Sequence, residues 1–100
     1  MTRLEARLAG LASEGRTVTY GALARDLDLR IGDLTAALEA LMEKDAALGH
    51  PLRAALCEGK LAQGQPAQGF FLKCAVLGVD VGDPVAFVAD HRARLFGQTK

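Results

Sequence analysis

Leu4, Leu8 and Leu11 recur at helical spacing among Arg3, Glu5 and Arg7, which predicts a first helix from about Thr2 to Ser13, ended by Gly15. Arg16 to Val18 reads as a very short strand. Thr19 follows as an N-cap whose hydroxyl can accept from the free N–H groups of the next helix. Val18 and Leu23 are spaced as a hydrophobic staple, Leu23 and Leu27 make the buried stripe, and the helix should stop near Asp28. The clearest period belongs to the third helix. Ile31, Leu34, Leu38, Leu41 and Met42 form one apolar face that Leu48 extends, alanines at 36, 37 and 40 favour helix without adding bulk, and Gly49 and Pro51 end it.

After Pro51 the period changes. Leu52 to Cys57 reads as a strand, although its alanines are weak strand formers. Glu58 to Gly69 carries three glycines, a proline and three glutamines, and so is a loop, hairpin-like and a candidate wing. Phe70 to Leu77 returns to helical spacing, and Gly78 to Gly82 is a turn. Asp83 and Pro84 then open a last helix with Val85, Val88, Leu95 and Phe96 on its inner face. The order helix, strand, helix, helix, strand, wing predicts one domain over residues 1–100, mainly α with a small antiparallel sheet, arranged like a winged helix-turn-helix.

Composition narrows the function classes. The 100 residues are half hydrophobic, enough for a modest core without disulfide or metal. Twelve basic and twelve acidic side chains cancel, whereas a dedicated nucleic-acid binder usually shows a basic excess. No charged-then-apolar leader and no apolar run near ~18 residues is present, so the expectation is a cytoplasmic chain with no membrane association. Cys57 and Cys74 read as buried small hydrophobes, and their spacing from His50 and His91 fits no zinc pattern. QGQPAQG, residues 63–69, lacks the lysine motif of phosphate loops. Neither a metal nor a cofactor is expected.

GRTVTYGALARDL, residues 15–27, is similar to the G-x-x-TTYG-x-LA segment of the carboxy-terminal domain of alkylguanine-DNA alkyltransferases and their alkyltransferase-like relatives. IGDLTAAL falls where that family has R-x-VG-x-AL, and HPLRAALCEGKLAQG where it has P-C-H-R-V and a glycine-containing wing; Lys73 opens a helix at a place where lysine is common. The resemblance spans about Gly15 to Leu77, with TYG-x-LA its one specific part. It implies a shared fold. It does not imply shared chemistry, because Leu52 follows Pro51 where the family places its nucleophilic cysteine, and Arg53 and Ala54 stand where His-Arg would be.

Two functional readings follow, and an enzyme is not expected, since no nucleophile–base pair or metal set is visible. In the first, a non-enzymatic winged-helix module binds duplex DNA or acts as a regulatory module. Arg30, Gly32, Asp33, Thr35 and Ala36 would meet base edges, while Arg16, Thr17, Tyr20 and Arg25, with Lys60 and Gln63 on the wing, would hold phosphates. Against it stands the third helix, where Asp33, Glu39, Glu43 and Asp45 oppose only Lys44. In the second, the scaffold has lost DNA and binds a protein, with Phe70 or Phe71 as an apolar anchor. Tyr20 is read either as packing on the core edge with a wet hydroxyl or, by the resemblance, as managing flipped nucleotides. His91 is expected to pack its ring at the core boundary, and Arg92 and Arg94 suit their helix's carboxy-terminal dipole. Partner, target sequence and oligomeric state have no signature in the chain.

Overall fold

The computed structural model describes residues 2–97. In chain order it contains α1 (Arg3–Glu14), β1 (Val18–Thr19), α2 (Tyr20–Leu27), α3 (Ile31–Leu48), a 3-10 turn (Arg53–Leu56), β2 (Cys57–Glu58), α4 (Gln68–Val76) and α5 (Pro84–Gly97). The helix ends follow from local chemistry. Thr2 caps α1 through a reciprocal capping box with Glu5, and the Thr19 hydroxyl accepts from the Ala22 N–H at 3.2 Å to start α2. Asp28 ends α2 in the left-handed region at φ 55°, where a short polar side chain is the tolerated substitute for glycine. That reversal leaves only residues 28–30 between α2 and α3. Gly49, at φ 69°, closes α3 in the same conformation.

The sheet corrects the antiparallel expectation. β1 and β2 pair in parallel, Val18 with Cys57 and Thr19 with Glu58. Parallel pairing requires a long crossover, and here α2 and α3 supply it. An antiparallel wing would need a second strand returning after β2. The segment after β2 instead folds back through turns, with the Gly59 N–H donating to the Gln65 carbonyl at 2.8 Å and the Gln65 N–H to the Ala62 carbonyl at 3.0 Å. Gln63 and Gly64 both have positive φ, so the chain cannot run on as a strand. Residues 59–67 are thus a folded loop and not a β-hairpin wing.

The strand expected over Leu52 to Cys57 is likewise mostly a 3-10 turn, and only Cys57 and Glu58 are extended. Ala54 and Ala55 offer little to a pleated surface, while the backbone of this segment is held by side chains from two helices. The Leu52 N–H donates to His91 Nδ1 at 2.9 Å, and the Arg53 N–H to Asp45 Oδ2 at 3.0 Å. The turn is almost wholly buried and forms the centre on which α1, α3 and α5 converge.

Around it lies one core: Leu4, Leu8 and Leu11 of α1; Leu23 and Leu27 of α2; Leu34, Leu38, Leu41 and Met42 of α3; Val88 and Leu95 of α5. Three residues expected on inner faces are outside it. Ile31, Leu48 and Val85 are each more than half exposed, because they stand in the terminal turns of their helices, beyond the neighbours that cover the middle. α4 starts two residues earlier than expected, at Gln68, and buries Phe70 and Cys74. Among the described residues no helix is long and apolar enough to cross a membrane.

Candidate binding groove

The first residue of α2, the first turns of α3 and the first turn of α4 border a single open groove of about 250 Å³. Leu38, Met42 and Phe70 form its buried floor, and Ile31 stands on the rim with 54% of its surface exposed. Tyr20 closes one end. Its ring packs against the core, and its hydroxyl accepts from the Ala67 N–H at 3.1 Å, which ties the exit of the 59–67 loop to the start of α2. Burial raises the phenol's pKa, so the hydroxyl keeps its proton. Among the described residues no side chain caps α3 or α4, although the Phe70 N–H in the first turn of α4 donates to the Ala67 carbonyl at 3.0 Å.

Besides Tyr20, two polar side chains among the described residues line the groove, both from α3. The Thr35 hydroxyl is already used, donating to its own helix at the Ile31 carbonyl, 2.9 Å away. Glu39 is half-buried and has no hydrogen bond or ion pair among the described residues. Among the described residues no lysine or arginine borders the groove. Behind the floor an aromatic row supports Phe70. Phe71 meets it edge-on at 5.1 Å, Phe87 lies 6.4 Å away, and Phe87 stacks on His91 at 4.2 Å.

His91 is buried as a core-boundary ring and does more than fill space. Because Nδ1 accepts the Leu52 N–H, the neutral tautomer must carry its proton on Nε2, which faces Arg94 Nη2 at 3.1 Å. Burial, with Arg94 nearby, holds its pKa below the usual value. Arg94 also pairs with Asp90, as suits the end of a helix. Arg92 does not stay there: its Nε reaches back to the Ala55 carbonyl at 2.7 Å.

The expected DNA contacts divide in two. Arg16 pairs with Glu14, the Thr17 hydroxyl donates to Glu58 at 2.8 Å, and Tyr20 and Thr35 are engaged as described. Arg25, Arg30, Lys60 and Gln63 are exposed and unpaired among the described residues. The groove gathers Tyr20 and Thr35 but not these four. Of the two expected anchors, Phe70 is core and Phe71 half-buried, so neither projects as a knob. Both cysteines are buried, and burial pushes the Cys57 thiol up to about 12, which denies it a thiolate. Among the described residues no three His, Cys, Asp or Glu side chains group as metal ligands.

Sequence reasoning missed the polar centre on the buried side of α3, towards α1 and the 3-10 turn. Asp45, fully buried, accepts from Arg53 Nη2 at 2.8 Å and from Arg53 Nε at 3.1 Å, and Arg53 Nη1 reaches Glu5 at 3.1 Å. The signal was present, since Asp45 falls on the period set by Leu34, Leu38, Leu41 and Met42. A cavity of about 520 Å³ also lies on that side, between α1, α2 and α3, but the charges at its mouth are satisfied within the chain. Lys44 pairs with Glu5, and Arg3 donates to the Leu27 and Asp26 carbonyls.

No protein-family profile matches the chain, and neither a curated protein nor a solved structure is found to be similar to it. The likeness to alkyltransferases therefore rests on the motif residues alone.

Proposed function

We propose that the chain is a non-enzymatic protein-interaction module that works through the groove between α3 and α4. One observation carries the reading: beside the face where a helix-turn-helix would present base-reading groups, α3 borders an apolar trough that takes in only Thr35 of those groups and whose one charged member among the described residues is the Glu39 carboxylate. Such a trough accepts large apolar side chains and repels phosphate. The internal engagement of Arg16, Thr17, Tyr20 and Thr35 supports it, because each would have to leave a partner to reach DNA.

Panning a random-peptide display library tests the reading, with Ile31→Glu as counter-screen. Peptides should be retained by the wild-type chain and lost on the variant, since Ile31 lines the rim and its exposure lets the fold tolerate the change. Peptides retained equally by both would overturn it.

A second reading, duplex-DNA binding, has its own observation. Among the described lysines and arginines, Arg25, Arg30 and Lys60 alone have no partner within the chain, and all three belong to the α2–α3 region or the loop after β2. Fluorescence titration with duplex DNA at low and moderate salt decides it. Binding weakened by Arg30→Ala and Lys60→Ala would support DNA, and silence at low salt would end that reading.

A further inference from the structure

The seam between α3 and α4 is held by one ion pair, Lys73 Nζ to Glu43 Oε2 at 2.9 Å, with the lysine side chain largely covered. One turn earlier on both helices stand Glu39 and Gly69, and both border the groove. The pattern of the seam calls for a cation opposite Glu39, but position 69 has no side chain, and a Cβ placed there would meet nothing within 4 Å. The lower rung is therefore open. Glu39 is half-buried beside Leu38, Met42 and Phe70 and meets no compensating charge among the described residues. A carboxylate so placed is open to pairing with an incoming cation.

We propose that the occupant of this groove is a segment of another protein in which a lysine or arginine stands beside a large apolar side chain. The apolar group enters between Ile31 and Phe70, and the cation completes the rung at Glu39. The flexible thioether of Met42 in the floor lets the trough adapt to more than one apolar shape. The proposal rests on the interaction reading above and adds the charge of the partner. A nucleic-acid backbone would bring its phosphates against Glu39 and, at the start of α3, the exposed Asp33.

The test uses the whole chain and peptides taken from the display selection, resynthesised and titrated while backbone amide shifts are followed. Selected sequences should share a lysine or arginine next to leucine, phenylalanine or methionine, and shifts should concentrate on residues 31–42 and 67–70. Glu39→Gln should weaken binding roughly fivefold. Replacing the peptide's cation by norleucine should weaken binding to the wild type by a similar factor and leave binding to Glu39→Gln unchanged, the signature of a direct pair. Gly69→Arg, which supplies the missing cation from within and fills the trough, should abolish binding while its circular dichroism stays that of the wild type. Peptides that occupy the groove but are indifferent to Glu39→Gln and to their own cation would overturn the assignment of charge and leave the interaction reading standing. If no peptide shifts the groove amides, both fall. A short DNA duplex that shifts them instead would replace both with the nucleic-acid reading.

Discussion

Asp45 and Glu39 are carboxylates on one helix, six positions and so about 9 Å apart along its axis, in opposite circumstances. Asp45 points into the centre of the molecule and is met by the guanidinium and backbone of Arg53, which in turn holds Glu5 of α1. Glu39, about a third of a turn round the helix from Asp45, borders the trough and is met by nothing among the described residues. The first arrangement closes a fold by joining α1, α3 and the 3-10 turn. The second is an unfinished copy of the rung that Glu43 and Lys73 complete one turn later. The buried, paired charge belongs to the structure, and the half-buried, unpaired one beside an apolar floor is the group the proposal assigns to a ligand.

The hardest test of that contrast is Asp45→Asn. It keeps the shape of the side chain but removes the charge that Arg53 was folded around. Taking one partner from a buried pair costs about 3 kcal/mol, which urea unfolding monitored by circular dichroism should register as a lower midpoint at unchanged slope. A loss below about 1 kcal/mol would mean that the network is no more than a surface pair.

The closed side also predicts how stability follows pH. His91 is held below its ordinary value of 6.5, so the unfolded chain takes up the proton first as pH falls through that value. Stability contributed by the neutral ring is full above 6.5 and declines below it. His91→Gln should remove that slope between neutral and mildly acid pH. Glu5 behaves oppositely in charge but alike in direction. Its capping bond with Thr2 and its contact with Arg53 lower its pKa from 4.5 to about 2, so its contribution is present above 4.5 and disappears as pH falls towards 2. Urea midpoints of wild type, His91→Gln and Glu5→Gln across both windows separate the two groups.

Much of the closed side was legible in the chain. The leucine periods of α1 and α3, the Thr19 cap and the glycine stops placed the helices within a residue or two, because each is a local signal. What failed was non-local. Whether Val18 meets Cys57 in parallel or a later strand in antiparallel is decided by where the α2–α3 crossover delivers the chain, which no window around either residue contains. The Leu52–Cys57 segment gave way to a turn because Asp45 and His91 bind its backbone from other helices. The groove itself was not legible: Tyr20 and Thr35 were expected as DNA contacts, and Glu39 as part of an acidic face. Only the fold shows that its α4 counterpart is a glycine.

Gly69→Ala sharpens the comparison from the α4 side. Alanine is the better helix former, and its methyl meets empty space, so stability should rise by about 0.5 kcal/mol. A methyl cannot reach Glu39, so peptide affinity should stay near that of the wild type, in contrast to Gly69→Arg. A large affinity loss with alanine would show that the trough is already tight at that point and that the open rung is not where a ligand's cation enters.

Glu39→Gln should have the smallest effect on folding, and for that reason it discriminates best. It is the same isosteric change as Asp45→Asn on the same helix. If Glu39 were silently stabilising the fold, the variant would lose stability as the Asp45 variant does. With no partner to lose, the glutamine should unfold within about 0.5 kcal/mol of the wild type. A near-silent unfolding curve together with a roughly fivefold weaker hold on cationic peptides would place the worth of this carboxylate in binding and not in folding. A clear destabilisation would move Glu39 to the structural side, and the difference between the two faces of α3 would then be one of degree.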